Sequence, residues 1–176
     1  MAEHSEHPAK AAVELFPGCP IVRVVSGGQT GVDRGALDAA LALGVPHGGW
    51  CPRGRRSEDG QVPPRFLLRE TESSRYDIRT EKNILDSDAT LILHHGPLTS
   101  GTALTRRLAQ QHGKPLRLVD LAGVVDGPAL RRWLIASNVR ILNVAGPRES
   151  SCPGVALRAQ SLLERILRND AVPTEG

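Results

Sequence analysis

Apolar positions along the chain keep two alternating rhythms. Short continuous runs at Ile21 to Val25, Ala89 to His94, Leu116 to Val119 and Val139 to Ala145 are rich in Val, Ile and Leu and are bounded by glycine, proline or charged residues. That is the pattern of strands buried on both faces. Between them apolar residues recur at helical spacing, beginning with Val32, Ala36, Leu37, Ala40 and Leu41, where Gly44 and Pro46 stop the helix. The same spacing predicts helices over Tyr76 to Asp86, Ala103 to His112, Gly127 to about Ser137 and Gly154 to Leu167. The weakly periodic middle of the chain predicts a short strand at His47 to Trp50. A short helix from Pro63-Pro64 through Leu67 and an edge strand within Leu68 to Glu72 follow it.

Strands alternating with helices predict an α/β fold: a single-domain, doubly wound, mainly parallel sheet of about five or more strands. The domain spans residues 21–168. A polar lead-in (1–20), with at most a loose helix and with His4 and His7 in a mobile stretch, precedes it, and a short tail (169–176) follows.

The first strand breaks at Ser26-Gly27-Gly28-Gln29-Thr30-Gly31 and re-forms as a helix. Free N–H groups at a helix start, approached over glycines, bind anions. The spacing is Gly-Gly-x-x-Gly. It matches neither the dinucleotide fingerprint nor a P-loop, and Trp50 and Cys51 stand where a nicotinamide-binding unit would place its acidic residue. A turn that only packs strand on helix is the competing reading. The device recurs at Thr99-Ser100-Gly101-Thr102.

Composition narrows the function. The 176 residues carry a formal charge of +3, too small to argue for nucleic acid, and aromatics make up 3%, too few for a base-stacking platform. No apolar run approaches a membrane span and no signal-peptide pattern opens the chain, so a cytoplasmic protein is expected. Cys19, Cys51 and Cys152 have no metal-binding or disulfide spacing, which leaves Cys51 and Cys152, both in Pro/Gly loops, as candidate thiols. His94-His95 lack metal-helix spacing, and there is no Gly-x-Ser-x-Gly elbow.

In a doubly wound sheet the loops after the strands meet at one edge. Gly27 to Arg34, Trp50 to Arg56, Thr99 to Thr102 and Gly146 to Ser150 are expected to converge there, with hydroxyls from Thr30, Ser100 and Thr102. Arg34, Arg53, Arg79 and Arg148 are the candidate counter-charges to an anion, because a guanidinium fits phosphate or carboxylate. Asp33 has three readings: helix cap, arginine partner or ligand contact.

In this order, Ser26 to Arg34, Gly49-Trp50-Cys51-Pro52, Arg79-Thr80-Glu81 with Asn83, Asp86 to Leu91, and Thr99 to Thr102 resemble the molybdenum carrier family, whose members bind the molybdenum cofactor. The resemblance runs from about Val22 to Glu164. It implies a Rossmann-like fold akin to the LOG-type superfamily, a homo-oligomer, and non-catalytic storage or transfer of the cofactor to a molybdoenzyme or cofactor-synthesis protein. It also implies that Gly27, Gly28, Gln29, Thr30, Gly31, Ser100, Gly101 and Thr102 meet the anionic ends of this pterin phosphate. Asp33, Arg34, Arg53, Arg79, Glu81, Arg148 and Glu149 surround it, and Trp50 stacks on the pterin. The alternatives are a LOG-type phosphoribohydrolase of nucleoside monophosphates and a nucleotide-binding sensor. The hydrolases use Pro-Gly-Gly-x-Gly-Thr-x-x-Glu, and Thr105 stands here where the catalytic glutamate would be, with Glu81 as a substitute carboxylate.

Overall fold

A computed structural model describes residues 13–169 of the protein. Both chain ends, with the expected loose helix, His4 and His7 in the lead-in and most of the tail, lie outside the described residues. The chain alternates as expected: β1 (Arg23–Val25), α1 (Val32–Leu43), β2 (His47–Gly48), β3 (Trp50–Cys51), β4 (Arg56–Ser57), β5 (Gly60–Gln61), β6 (Arg69–Glu70), α2 (Tyr76–Leu85), β7 (Ala89–His94), α3 (Ser100–Gln111), β8 (Leu116–Asp120), α4 (Gly127–Ala136), β9 (Ile141–Ala145) and α5 (Val155–Leu167).

Five strands form one sheet in the order β2-β1-β9-β7-β8, and every pairing in it is parallel. Counted from β9 as first, with β1 second, β2 third, β7 fourth and β8 fifth, the order reads 3-2-1-4-5, that of the doubly wound nucleotide-binding sheet. The chain therefore begins one unit late, and its first unit, β9-α5, comes at its end. The seam is stitched: Leu15 bridges Arg168, Phe16 N–H donates to the Leu167 carbonyl (3.0 Å), and Asn169 N–H donates to the Glu14 carbonyl (2.7 Å).

The main core joins α1, α4 and α5 to one face of the sheet, and Leu37 of α1 also belongs to a smaller cluster with Cys51, Val62, Phe66 and Leu68. On the opposite face α2 and α3 pack together through Ile84, Leu108 and Ala109. The Gly44 stop of α1 is as expected, and α4 starts on Asp126, whose carboxylate accepts from Ala129 N–H at 2.9 Å.

Three local expectations differ. The strand at His47 to Trp50 divides at Gly49, whose φ of 125° turns the chain out of the main sheet, so β3 pairs with β6 instead. Residues Pro63 to Leu67 form a turn rather than a helix, because Arg55 gathers the carbonyls of Val62, Pro63, Phe66 and Leu68 onto one guanidinium. Helix α3 starts at Ser100, so Ser100, Gly101 and Thr102 are its first turn rather than the loop before it.

Candidate functional site

At the carboxyl edge of the sheet, where β9 stands between β1 and β7, a cavity of about 340 Å³ opens. Its floor is Asn143 to Gly146 of β9 and the residue after it, and its walls come from α2, the start of α3, the turn after β1 and the loop from Pro147 to Ser151. This is the crevice in which open α/β sheets bind ligands.

The β1 turn supplies Gly27, Gln29 and Asp33. A β-carbon on Gly27 would fall 1.1 Å from Nη1 of Arg79, so the glycine leaves room for an arginine arriving from α2. Arg79 Nη1 donates to Asp33 Oδ2 at 2.8 Å, and both side chains are largely buried. Asp33 also accepts from Gln29 N–H at 3.3 Å, which answers its three readings with an arginine partner and a turn contact. Two donors in this corner have no partner: Arg79 Nε and Gln29 Nε2 are buried and unbonded, although Gln29 Oε1 accepts from both Thr30 N–H (3.0 Å) and Glu58 N–H (2.9 Å). Buried donors without acceptors are costly, and at a cavity wall they mark places where a ligand acceptor would lower the energy.

Across the cavity, α3 presents its first turn. Its N-cap, Thr99, makes no capping bond to the helix N–H groups; its hydroxyl meets Thr102 Oγ1 at 3.0 Å instead. Ser100 and Gly101 are exposed, and a β-carbon on Gly101 would meet nothing within 4 Å. The positive end of a twelve-residue helix thus faces open space over a residue without a side chain. Thr105 lies one turn further along the lining and donates to the Gly101 carbonyl at 3.0 Å. Tyr76 closes the mouth, with Arg148 Cζ 5.2 Å and Arg79 Cζ 5.8 Å from its ring centroid. Among the described residues Asp33 is the one carboxylate in the lining, and Arg79 neutralises it.

Of the residues singled out from sequence, Gly27, Gln29, Asp33, Arg79, Ser100, Gly101 and Arg148 line this cavity. Thr80, Asn83, Thr99, Thr105, Gly146, Pro147 and Ser150, named with the expected loops and blocks, line it too, and the remaining candidates lie outside its lining. Gly28, at φ 77°, faces away, and a β-carbon there would fall 2.6 Å from Leu68 and 2.8 Å from Val62. Thr30 and Gly31 pack against the loop after β9: Glu149 N–H donates to Thr30 Oγ1 at 3.3 Å, and Val32 N–H donates to the Pro147 carbonyl at 3.2 Å. The start of α1 is thus covered by the protein's own groups, and the start of α3 is the open one. Thr102 is buried behind Thr99, bonding its carbonyl at 2.9 Å.

Arg34 holds Asp59 at 2.5 Å, and these hydrogen bonds, with one from Ser57, keep the Asp59 carboxyl far below its usual range. Arg53 is exposed in a 3₁₀ turn. Trp50 lies between Arg69 (4.4 Å) and Lys82 (4.2 Å) with its indole N–H on Asp86 at 2.7 Å, so its ring faces are taken by cations away from the cavity. Glu81 meets His112 Nε2 at 2.8 Å between α2 and α3. Glu149 accepts from Gly154 N–H and, at 3.1 Å, from Ala156 N–H at the start of α5. Cys51 is fully buried and burial raises its pKa, while Cys152 is half-buried against the main core, where Arg158 reaches its Sγ at 3.3 Å.

Tyr76, Asn143, Ser151 and Glu58 belong to the site or its rim without any motif that marks them in the sequence. Tyr76 stands three residues before Arg79, a spacing that puts both on one helix face. Asn143 is a lone amide within an apolar strand, where its Nδ2 donates to Thr90 Oγ1 at 3.2 Å. Glu58 carries no local signal; its partners are far away in the chain.

Sheet order and cavity together define a Rossmann-like ligand-binding domain whose first unit has been moved to the end of the chain. The protein belongs to the circularly permutated YpsA SLOG family, whose profile matches residues 24–167. It is similar to a solved structure from Syntrophus aciditrophicus SB, named "Putative molybdenum carrier protein", at 43% identity and a TM-score of 0.81, over 84% of this chain and 95% of that one. None of the curated proteins matches the chain.

Proposed function

We propose that this protein binds the molybdenum cofactor in the β9 cavity as cargo and performs no chemistry on it. The observation that carries the reading is the cavity's hydrogen-bonding balance. Open donors at the start of α3, unpartnered Arg79 Nε and Gln29 Nε2, and the Arg148 guanidinium all await acceptors, while the one lining carboxylate is already paired. The cofactor is a pterin with a phosphate and a dithiolene-bound molybdenum oxo group, rich in acceptors and negative charge. Gln29, Arg79, Ser100, Gly101 and Arg148 are the residues that would hold it. The name of the similar Syntrophus protein supports the same cargo.

Glycosidic hydrolysis requires a free carboxylate beside the substrate and a placed water. Asp33 is bound to Arg79, Thr105 offers a neutral hydroxyl already engaged with Gly101, and Glu81 is on His112 outside the lining. These contacts favour a carrier over a phosphoribohydrolase. Delivery to a recipient molybdoenzyme or cofactor-synthesis protein, from a homo-oligomer, completes the proposal.

Mass spectrometry with metal analysis of the protein purified from its own host tests it, alongside incubation with a panel of nucleoside monophosphates. Bound pterin with molybdenum and no release of free base is the expected result. A co-purifying nucleotide would make the protein a nucleotide sensor, and release of free base would make it a hydrolase.

A further inference from the structure

Beside the cavity, the hairpin of β4 and β5 sends Glu58 into an unusual set of contacts. Its carboxylate accepts from the hydroxyls of Thr30 and Ser150 and, at 3.2 Å, from Ser150 N–H. Arg148 adds its charge. Burial alone would raise the Glu58 carboxyl, but the hydrogen bonds from Ser150 and Thr30, with the nearby Arg148, outweigh it and hold the group below its ordinary value. Two hydroxyls, a main-chain N–H and a guanidinium, gathered at the turn before a helix, are the donor set of an oxyanion site. Here a side chain of the protein fills it.

Three further features point to an external anion. Ser150 lines both the main cavity and the open groove in which Glu58 lies, so the two spaces meet at this residue. Gln29, whose Oε1 accepts from Glu58 N–H, is 5% exposed and lines the main cavity with its Nε2 unbonded. Glu58 itself rides on a hairpin of two-residue strands that is exposed except at Ser57, a support with little buried area to hold it in place.

We propose that Thr30, Ser150 and Arg148 form a second subsite for a tetrahedral oxyanion, and that Glu58 is an internal ligand that an incoming oxyanion must displace. The inference deepens the cargo reading: it assigns the carried molecule two anionic groups, one at the start of α3 and one at Glu58's place. The groove around Glu58 also holds Asp38, Asp59 and Glu149 with Arg34, so without the three donors its field repels an anion.

Sulfate is the probe, because it keeps its double charge at neutral pH, and calorimetry on the full chain is the measurement. Glu58→Gln keeps the shape of the side chain and removes the competing charge. It should bind sulfate about tenfold more tightly than the parent, as expected when nine-tenths of the molecules carry a filled subsite. Adding Thr30→Val or, separately, Ser150→Ala to Glu58→Gln should abolish that gain, with circular dichroism confirming that each variant is folded. Equal binding by the parent and Glu58→Gln, including no binding by either, overturns the proposal. So does a gain that survives in both double variants. Failure here leaves cofactor capture by the main cavity standing, whereas failure of cofactor capture with a retained sulfate gain removes the cargo and leaves the subsite.

Discussion

Gly27 shows how one residue's smallness is set by another residue's size. The space above its Cα is filled by the Arg79 guanidinium, which is held there by Asp33. Removing the acid leaves a positive charge in a largely buried corner, a change that costs about 3–5 kcal/mol. Asp33→Ala should therefore lower stability in urea unfolding by that amount, and a loss under about 1 kcal/mol would show that the pair is dispensable. Gly28 follows a different logic. A side chain there strikes Val62 and Leu68 and must adopt φ 77°, so Gly28→Val damages the packing of the 50–70 segment, and any loss of binding follows from that. Arg148, exposed at the mouth, has little to do with folding. Arg148→Ala should weaken binding of the proposed cofactor by about 1.5–3 kcal/mol, the range for a charged hydrogen bond, at unchanged stability. Arg148→Lys should recover only part of the loss, because the planar fork is gone.

Two helix starts that look alike in sequence divide the work between them. The first turn of α1 is covered by the Pro147 carbonyl and the Glu58 loop; that of α3 is open. Gly101→Val should accordingly leave the unfolding midpoint essentially unchanged and weaken binding by at least about 1.4 kcal/mol, a factor of ten. Unaltered affinity in that variant would remove α3 from the site. The β4–β5 hairpin is held by carboxylates whose folded pKa values are depressed, Asp59 by Arg34 and Glu58 by Ser150 and Thr30. Their contribution is present above the unfolded carboxylate range, about pH 4, and is lost as pH falls through the lower folded values. Hydrogen-exchange protection across residues 56–61, taken relative to the intrinsic rate at each pH, should fall in acid before that of the sheet.

Elements with long periodic runs, such as β7, β9, α1 and α5, were legible because their signal is local. Of the two-residue strands, β2 and β6 fall within the expected runs at His47 to Trp50 and Leu68 to Glu72, but the β4–β5 hairpin and the pairing of β3 with β6 were not legible, since Trp50 meets Arg69 across a segment without periodicity. The site was legible to the same degree. The glycine turns announced themselves, yet which turn stays open depends on Pro147 and Glu58, and the role of Asp33 depends on an arginine 46 positions away.

At the scale of the whole molecule, the seam between the two ends makes the order of units a matter of where the chain is cut. Joining the ends by a short flexible linker and opening the chain between Ser137 and Asn138 would place β9 first and leave every pairing of the sheet intact. That permutant should fold, bind sulfate like the parent and lie within about 1 kcal/mol of it in stability. A permutant that fails to fold would show that the present order is required by the assembly pathway.

The position of β9 also has a consequence in time. A ribosome completes β2, β1, β7 and β8 before it reaches Ile141, and until then the two pairs share no edge, because the strand that joins them has not been made. The floor of the cavity is that same strand, and its Arg148 wall follows a few residues later. A nascent chain therefore holds no complete cavity until the stretch from Ile141 to Ser151 has been made, and a ligand can be enclosed there only after that point.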